Sequence, residues 1–311
     1  MWITAATAVT ASASPVRRAR GASYNARMYL DHLHVSLRRL IRISLLLLHL
    51  VWGVTLAGLL FPLLSTARRD RLIMGWARRL LRVLGVRIRL AAPPALPGGA
   101  LLVCNHVSWL DIYLIYAAQR VHFVSKAEVR AWPVAGWLAR KTGTLFIERG
   151  RRADTARINA EMRSLMQGGA WVAVFPEGTT SDGRGLRRFL PSLLQPAVEL
   201  NCPIVPAALR YRTLAGEHSS VPAYIDEISM WQSLKNIVGE PVIIAELQFG
   251  EPILPNGHRR DLAAQAEAAC ARLLGVSPAR TSPDAYSPQG ARPSGAASAD
   301  TAPKTPADPP A

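Results

Sequence analysis

A chain of 311 residues that is 50% hydrophobic and carries a formal net charge of +16 is long enough for one large domain or two small ones. Strong basicity joined to strong apolarity points to anionic partners in an apolar setting, best met by the inner face of a membrane. Its three cysteines, Cys104, Cys202 and Cys270, lie far apart, and its seven histidines do not cluster, so neither a disulfide framework nor a zinc site is indicated and a reducing compartment is expected.

The basic residues are nearly all arginine; the only lysines are Lys126, Lys141, Lys235 and Lys304. Arginine suits phosphate and headgroup contacts because its planar fork makes two hydrogen bonds at once. High-GC coding would raise arginine and alanine as well. In chain order, residues 1–27 are small, polar and basic and lack the apolar core of a secretory signal, and Met28 is an alternative start. Residues 1–35 read as a disordered extension. From Ile43 to Leu64 the chain carries no formal charge, which at the helical rise suffices to cross about 30 Å of hydrocarbon. Arg38, Arg39 and Arg42 precede this segment and Arg68, Arg69 and Arg71 follow it, so both of its ends fit the cytoplasmic face. Leu72, Ile73, Trp76, Leu80, Val83 and Leu84 then recur at helical spacing beside a basic face, as in a helix lying at the headgroup boundary or one packed on a domain surface. Residues 36–84 are therefore expected to form a two-helix membrane anchor, inserted from one side or spanning once.

Short apolar runs follow at Ala100–Cys104, His122–Ser125, Thr144–Ile147, Trp171–Phe175, Ile204–Leu209 and Val242–Phe249. Between them lie helical stretches such as Ala153–Met166 and Pro191–Leu200. The alternation predicts an α/β domain over 85–276, a mainly parallel sheet flanked by helices. Residues 277–311, rich in Pro, Ala and Ser, read as a disordered tail.

Three polar clusters each follow a predicted strand: NHVSWLD after LLVC, ERGRR after TLFI, and PEGTTSDG after WVAVF. In open α/β sheets ligands collect beyond the carboxyl ends of the strands, so the three are expected to line one cleft. A neutral imidazole at His106 can take a proton from an alcohol, and a carboxylate on its other nitrogen fixes the tautomer. Asp111 follows His106 by five positions, too far round one regular helix to share a face. The two can meet only if His106 sits in the turn and Asp111 in the first helical turns after it. In PEGTTSDG, Pro176 and Gly178 punctuate a tight turn that presents Glu177 to the cleft, and loop amides there could hold an anion or oxyanion; Thr179, Thr180 or Ser181 could equally cap the next helix. Arg149, Arg151 and Arg152 could grip a phosphate or form a solvated run. Lys126, at the start of a loop after a strand, could face developing negative charge or simply solvent.

Taken in order, NHVSWLD, GTLFIERG, FPEGTTSDG and CPIVPAALRY resemble the four motifs of the glycerolipid acyltransferases, in particular 1-acyl-glycerol-3-phosphate acyltransferases and related lysophospholipid acyltransferases. The likeness spans roughly residues 75–250. It implies His106 as base and Asp111 as orienter. Phe146, Ile147, Glu148, Arg149 and Gly150 match the second motif, with Arg149 meeting the acceptor's phosphate. Phe175, Pro176, Glu177, Gly178 and Thr179 match the third, which shapes the acceptor site. Val205 and Pro206 match the fourth, donor-side or structural, and Asn105 is grouped with them as support. The reaction so implied is acyl transfer from acyl-CoA or acyl carrier protein to the free hydroxyl of a lysolipid, foremost 1-acyl-glycerol-3-phosphate giving phosphatidate. It needs no metal, cofactor or nucleic acid, and takes place at the cytoplasmic face of a bacterial-type inner membrane. Two departures bear on the acceptor: Thr180 stands where phosphatidate-forming members carry Arg, and Glu148 stands where Asp is frequent. They leave room for a lyso-ornithine lipid or another lysolipid. A serine hydrolase would need a G-x-S-x-G elbow, which the chain does not contain. A metal-dependent phosphohydrolase would need more ligands than His122 near His106, and a nucleic-acid binder would spread its basic charge over the globular part.

Overall fold

The computed structural model describes residues 15–148 and 151–278. Seven strands form one sheet in the order β1-β7-β6-β2-β5-β3-β4. They are β1 Val86–Leu90, β2 Ala100–Cys104, β3 His122–Lys126, β4 Leu145–Ile147, β5 Trp171–Val174, β6 Ile204–Arg212 and β7 Ile243–Phe249. Every neighbouring pair is parallel except β6 and β7. The six expected strands all form. The seventh, β1, reads VRIRL; its Arg87 and Arg89 alternate with apolar residues, as suits an edge strand wet on one face.

Alternation along β2 shows why the sheet is buried on both sides. Leu102 and Cys104 enter one apolar cluster, with Ile73, Ala77 and Leu80 of α2 (Thr66–Val83), Leu110 and Leu114 of α3 (Leu110–Ala118), and Ile237 of α7 (Met230–Gly239). Leu101 and Val103 enter the other, with Ile158 and Met162 of α5 (Arg152–Gln167), Ala197 of α6 (Gln195–Leu200), and Leu262, Ala266 and Cys270 of α8 (Arg259–Leu274). The short α4 (Pro133–Lys141) packs Trp137 and Leu138 against the first cluster.

Helix α1 runs over Pro15–Thr55, so helix begins inside the stretch expected to be an extension. It continues through a π turn at Leu56–Leu60 into a 3₁₀ turn at Phe61–Leu63, where Pro62, lacking an N–H, helps end it. His32–Leu63 is long and apolar enough to cross a membrane. Of the two helices expected as an anchor, α2 is otherwise engaged: Ile73, Ala77, Leu80 and Leu81 are buried against the sheet layer. Its apolar stripe covers the domain core, and only its arginine face looks outward. On α1, by contrast, Leu47, Leu48, Val51 and Trp52 are exposed.

The arginines before the apolar segment also have a structural task. Arg38 donates to the carbonyl of Gly239 at 2.6 Å, Arg39 to that of Lys235 at 3.2 Å, and Arg42 to those of Val238, Glu240 and Pro241. The last carbonyls of α7 lack intrahelical partners and sit at the negative end of its dipole, so guanidinium groups fit there. Gly85 has φ +83°, the left-handed region that favours glycine, and the Arg42 guanidinium lies against it, as that of Arg39 lies against Gly239. The other end of the apolar stretch is fastened too. His49 and Trp76 stack at 4.6 Å and exchange hydrogen bonds with each other's backbone carbonyls, Gly58 lies beside the Trp137 ring, and Phe61 is buried in the core.

Candidate active site

Where β2 ends, Asn105 takes over its hydrogen bonding to β6. Its side-chain oxygen accepts from Leu209 N at 2.8 Å and its amide donates to Leu209 O at 3.1 Å, all fully buried. The chain can therefore turn away from the sheet without leaving strand groups of β6 unpaired. His106 follows in that turn. Its backbone is held on both sides by the loop after β5: its N–H donates to Glu177 Oε1 at 2.8 Å, and its carbonyl accepts from Ser181 N at 2.8 Å and Ser181 Oγ at 3.2 Å.

Asp111 lies in the first turn of α3 and has no exposed surface. His106 Nδ1 is 2.8 Å from Asp111 Oδ2, the same oxygen that accepts from the N–H groups of Val107 at 2.7 Å and Ser108 at 2.9 Å. Asp111 Oδ1 accepts from the Tyr211 hydroxyl at 2.6 Å. Backbone N–H groups can only donate, so Oδ2 is an acceptor, and an ionised carboxylate requires the proton to sit on His106 Nδ1. Nε2 then keeps its lone pair, and the imidazole side chain is 20% exposed. The Phe175 ring lies on the imidazole, with centroids 3.9 Å apart and planes inclined by 8°.

Glu177 is buried, and its two oxygens accept from His106 N and, at 3.1 Å, from Arg187 N. Burial pushes its carboxyl up to about 7, against the opposing pull of these two N–H groups and of Arg187. A carboxyl raised in the folded state stabilises the fold fully below its ordinary value and loses that contribution as pH rises through about 7. From 4.5 to about 7 the difference is on the order of 3 kcal/mol. The stability margin of the wild type over Glu177→Gln should therefore be larger at pH 5 than at pH 8 in chemical denaturation. A margin that is constant, or that grows with pH, would contradict this.

Gly178 has φ +76°, the left-handed region that favours glycine, and its N–H closes a turn onto Phe175 O. Thr179 is exposed. Neither Thr179 nor Thr180 caps a helix, because the residues up to Leu190 form irregular chain; the Thr180 hydroxyl instead donates to Tyr224 O. Lys126 ends β3 with its side chain exposed, in register with Ile147. Phe146 is half-buried in β4, and its carbonyl accepts from Arg157 at 2.9 Å. Glu148 is exposed and pairs with Arg151 at 2.6 Å, a contact on the solvated surface. Arg149 and Gly150 lie outside the described residues, as does the Arg152 side chain. Val205 and Pro206 sit within the sheet opposite Leu102 and Val103, a row behind the edge that carries His106. Pro206 needs no N–H there, since ladder pairing of β6 with β7 begins only at Ala207.

The sequence reading passed over Tyr211, although it lies within the quoted CPIVPAALRY. Strand β6 runs past the end of β2, and alternation from Ala207 and Leu209 brings Tyr211 to the Asp111 side. Phe175 was read only as a motif position; nothing local in the sequence shows that it lies on His106.

Residues 87–210 match the family model described as Acyltransferase. The chain is 39% identical over 206 residues to the lyso-ornithine lipid O-acyltransferase of Pseudomonas aeruginosa, covering 66% of this chain and 78% of that protein. It is 36% identical over 159 residues to the 1-acyl-sn-glycerol-3-phosphate acyltransferase of Neisseria meningitidis, covering 51% of this chain and 62% of that one. The crystal structure of the 1-acyl-sn-glycerophosphate (LPA) acyltransferase PlsC from Thermotoga maritima superposes with a TM-score of 0.58 at 18% identity, over 79% of this chain and 96% of that one, a likeness of fold.

Proposed function

This chain belongs to the glycerolipid acyltransferase family, and on that footing we propose that it moves an acyl group from a thioester, acyl-CoA or acyl carrier protein, to the free hydroxyl of a lysolipid, with His106 as general base. The observation that carries this reading is the filled hydrogen-bond shell of Asp111, which assigns the Nδ1 proton and leaves Nε2 as an acceptor on a partly exposed ring. The hydroxyl gives its proton to Nε2 as its oxygen attacks the thioester carbon. The tetrahedral oxyanion then collapses, breaking the C–S bond, and the departing thiolate takes the proton back from Nε2. Asp111 holds the imidazole in this tautomer and stabilises the imidazolium while it exists. The lipid's oxygen is itself the nucleophile, so no acyl-enzyme forms.

For the acceptor, the position after Glu177-Gly178-Thr179 favours a headgroup without a phosphomonoester. Thr180 brings no cation there and its hydroxyl is occupied by Tyr224 O. With the long match to the Pseudomonas protein, this favours a lyso-ornithine lipid over lysophosphatidate. Lysophosphatidate is the second reading, supported by the Neisseria relative and by the basic charge of the chain.

The membrane supplies that acceptor. Both ends of the apolar segment of α1 are fastened to the catalytic domain while its outer face is bare, with Leu48 68% and Val51 65% exposed. A helix held along the domain at both ends fits attachment from one side of the bilayer better than a crossing. Trp231 on α7 and Trp132 just before α4 are exposed, on or beside elements that α1 touches, as suits residues at a headgroup boundary. A donor made in the cytosol puts the catalytic face on the cytoplasmic side of the inner membrane.

Purified protein assayed with an acyl thioester and a panel of lysolipids tests the reading. Lyso-ornithine lipid is expected to be acylated with kcat/KM at least tenfold above lysophosphatidate. The reverse preference would establish the second reading, and no acylation of any lysolipid would overturn both.

A further inference from the structure

The His106 ring has two faces, and one is wholly covered by Phe175 in near-parallel contact. The contact is one step in a column of rings. Phe175 is in turn stacked on Phe123, with centroids 5.8 Å apart and planes inclined by 17°, and Phe123 meets Tyr116 edge-on at 5.0 Å and 90°. Phe123 and Tyr116 are buried, so the half-buried Phe175 ring is backed on its far side by fixed rings.

We propose that Phe175 is a positioning residue for acyl transfer, holding the imidazole edge-on to the cleft and lending its π face to the positive charge that develops on His106. This rests on His106 acting as the base. The face of a benzene ring carries negative quadrupole density, so it attracts a cation lying over it more than the neutral ring from which the cation forms. The benefit appears as the lipid hydroxyl gives up its proton, which makes it an effect on turnover rather than on acceptor binding. It also confines the imidazole to the plane set by Asp111 Oδ2 on Nδ1, with Nε2 on the opposite edge.

Other groups that bear on the same proton are Asp111 on α3, Glu177 after β5, Tyr211 on β6 through its bond to Asp111, and Cys104 at the end of β2. Glu177, whose carboxyl is pushed up to about 7, holds the His106 backbone, so the test must vary Phe175 alone. Replacement of Phe175 by mono-, tri- and pentafluorophenylalanine in the full-length protein keeps the ring shape while draining its π face.

The expected result is a stepwise fall in kcat across the series, reaching about tenfold, with KM for the lysolipid within about twofold. Phe175→Leu should show a larger loss of kcat at a similar KM, and Phe175→Trp should recover most of the activity. A flat series would overturn the inference. So would a fall in kcat that did not follow fluorination. If His106→Ala retained turnover, the base assignment would fail and this inference with it. Loss of turnover in His106→Ala together with a flat series would sink this inference alone.

Discussion

His106→Ala should lower kcat by about 10³–10⁴ while the protein folds and holds its lysolipid as before. The side chain is partly exposed and makes one hydrogen bond, to Asp111. Its ring also stacks on Phe175, but the hydrogen bonds that tie the residue to the loop after β5 are made by its backbone, to Glu177 and Ser181, and alanine keeps them. Asp111 would retain three donors, from Val107, Ser108 and Tyr211. Steady-state kinetics paired with thermal unfolding separates the two effects. Turnover within tenfold of wild type would remove His106 from the mechanism, and an unfolded variant would mean that the imidazole is structural.

Asp111→Asn should cost about 10²–10⁴ in kcat, for a reason the surrounding donors define. The N–H groups of Val107 and Ser108 both point at Oδ2 and demand an oxygen there, so the Asn oxygen is directed toward His106 and the amide toward the Tyr211 hydroxyl, which can accept. His106 would then keep its proton on Nδ1, and what is lost is the negative charge facing imidazolium. If the amide turned the other way, Nδ1 would have to accept, Nε2 would carry the proton, and no base would face the lipid. Either arrangement slows the chemical step without weakening acceptor binding. Wild-type kcat in Asp111→Asn would contradict the orienting role, and a loss confined to KM would place Asp111 in acceptor binding instead.

These two residues were legible in the sequence because the information that joins them is local. An apolar run ending in Asn105-His106, with a carboxylate one helical turn beyond, restricts where the two side chains can meet, and α3 begins at Leu110 as that required. The strands were legible for a similar reason, since period-two patterning and strand length are properties of short segments. What escaped depends on partners distant in sequence. Tyr211 reaches Asp111 across 100 positions, and Arg38 reaches Gly239 across 201. Composition identifies Arg38, Arg39 and Arg42 as basic residues beside an apolar helix, but not that α7 ends where they can cap it. The amphipathic stripe of α2, open to both readings in the sequence, is a case of the same kind. Periodicity reveals an apolar face, but whether lipid or a sheet covers that face is decided by the rest of the fold.

Thr180 shows the opposite case, a single position that says more than its surroundings. Its hydroxyl is tied to Tyr224 O, so it fastens the loop after β5 and brings no cation to the Glu177 turn. On the proposed reading, chemistry at the lipid hydroxyl and recognition of the headgroup rest on different residues, so the second can change without the first.

In the proposed mechanism the lipid's own hydroxyl, deprotonated by His106, attacks the thioester. Rapid-quench measurement with radiolabelled acyl thioester and purified protein tests it directly. No label should become attached to protein and no thiol should be released before lysolipid is added, and on its addition thiol and acylated lipid should appear together at equal rates. A burst of thiol equal to the enzyme, with label bound to protein in the absence of acceptor, would contradict it.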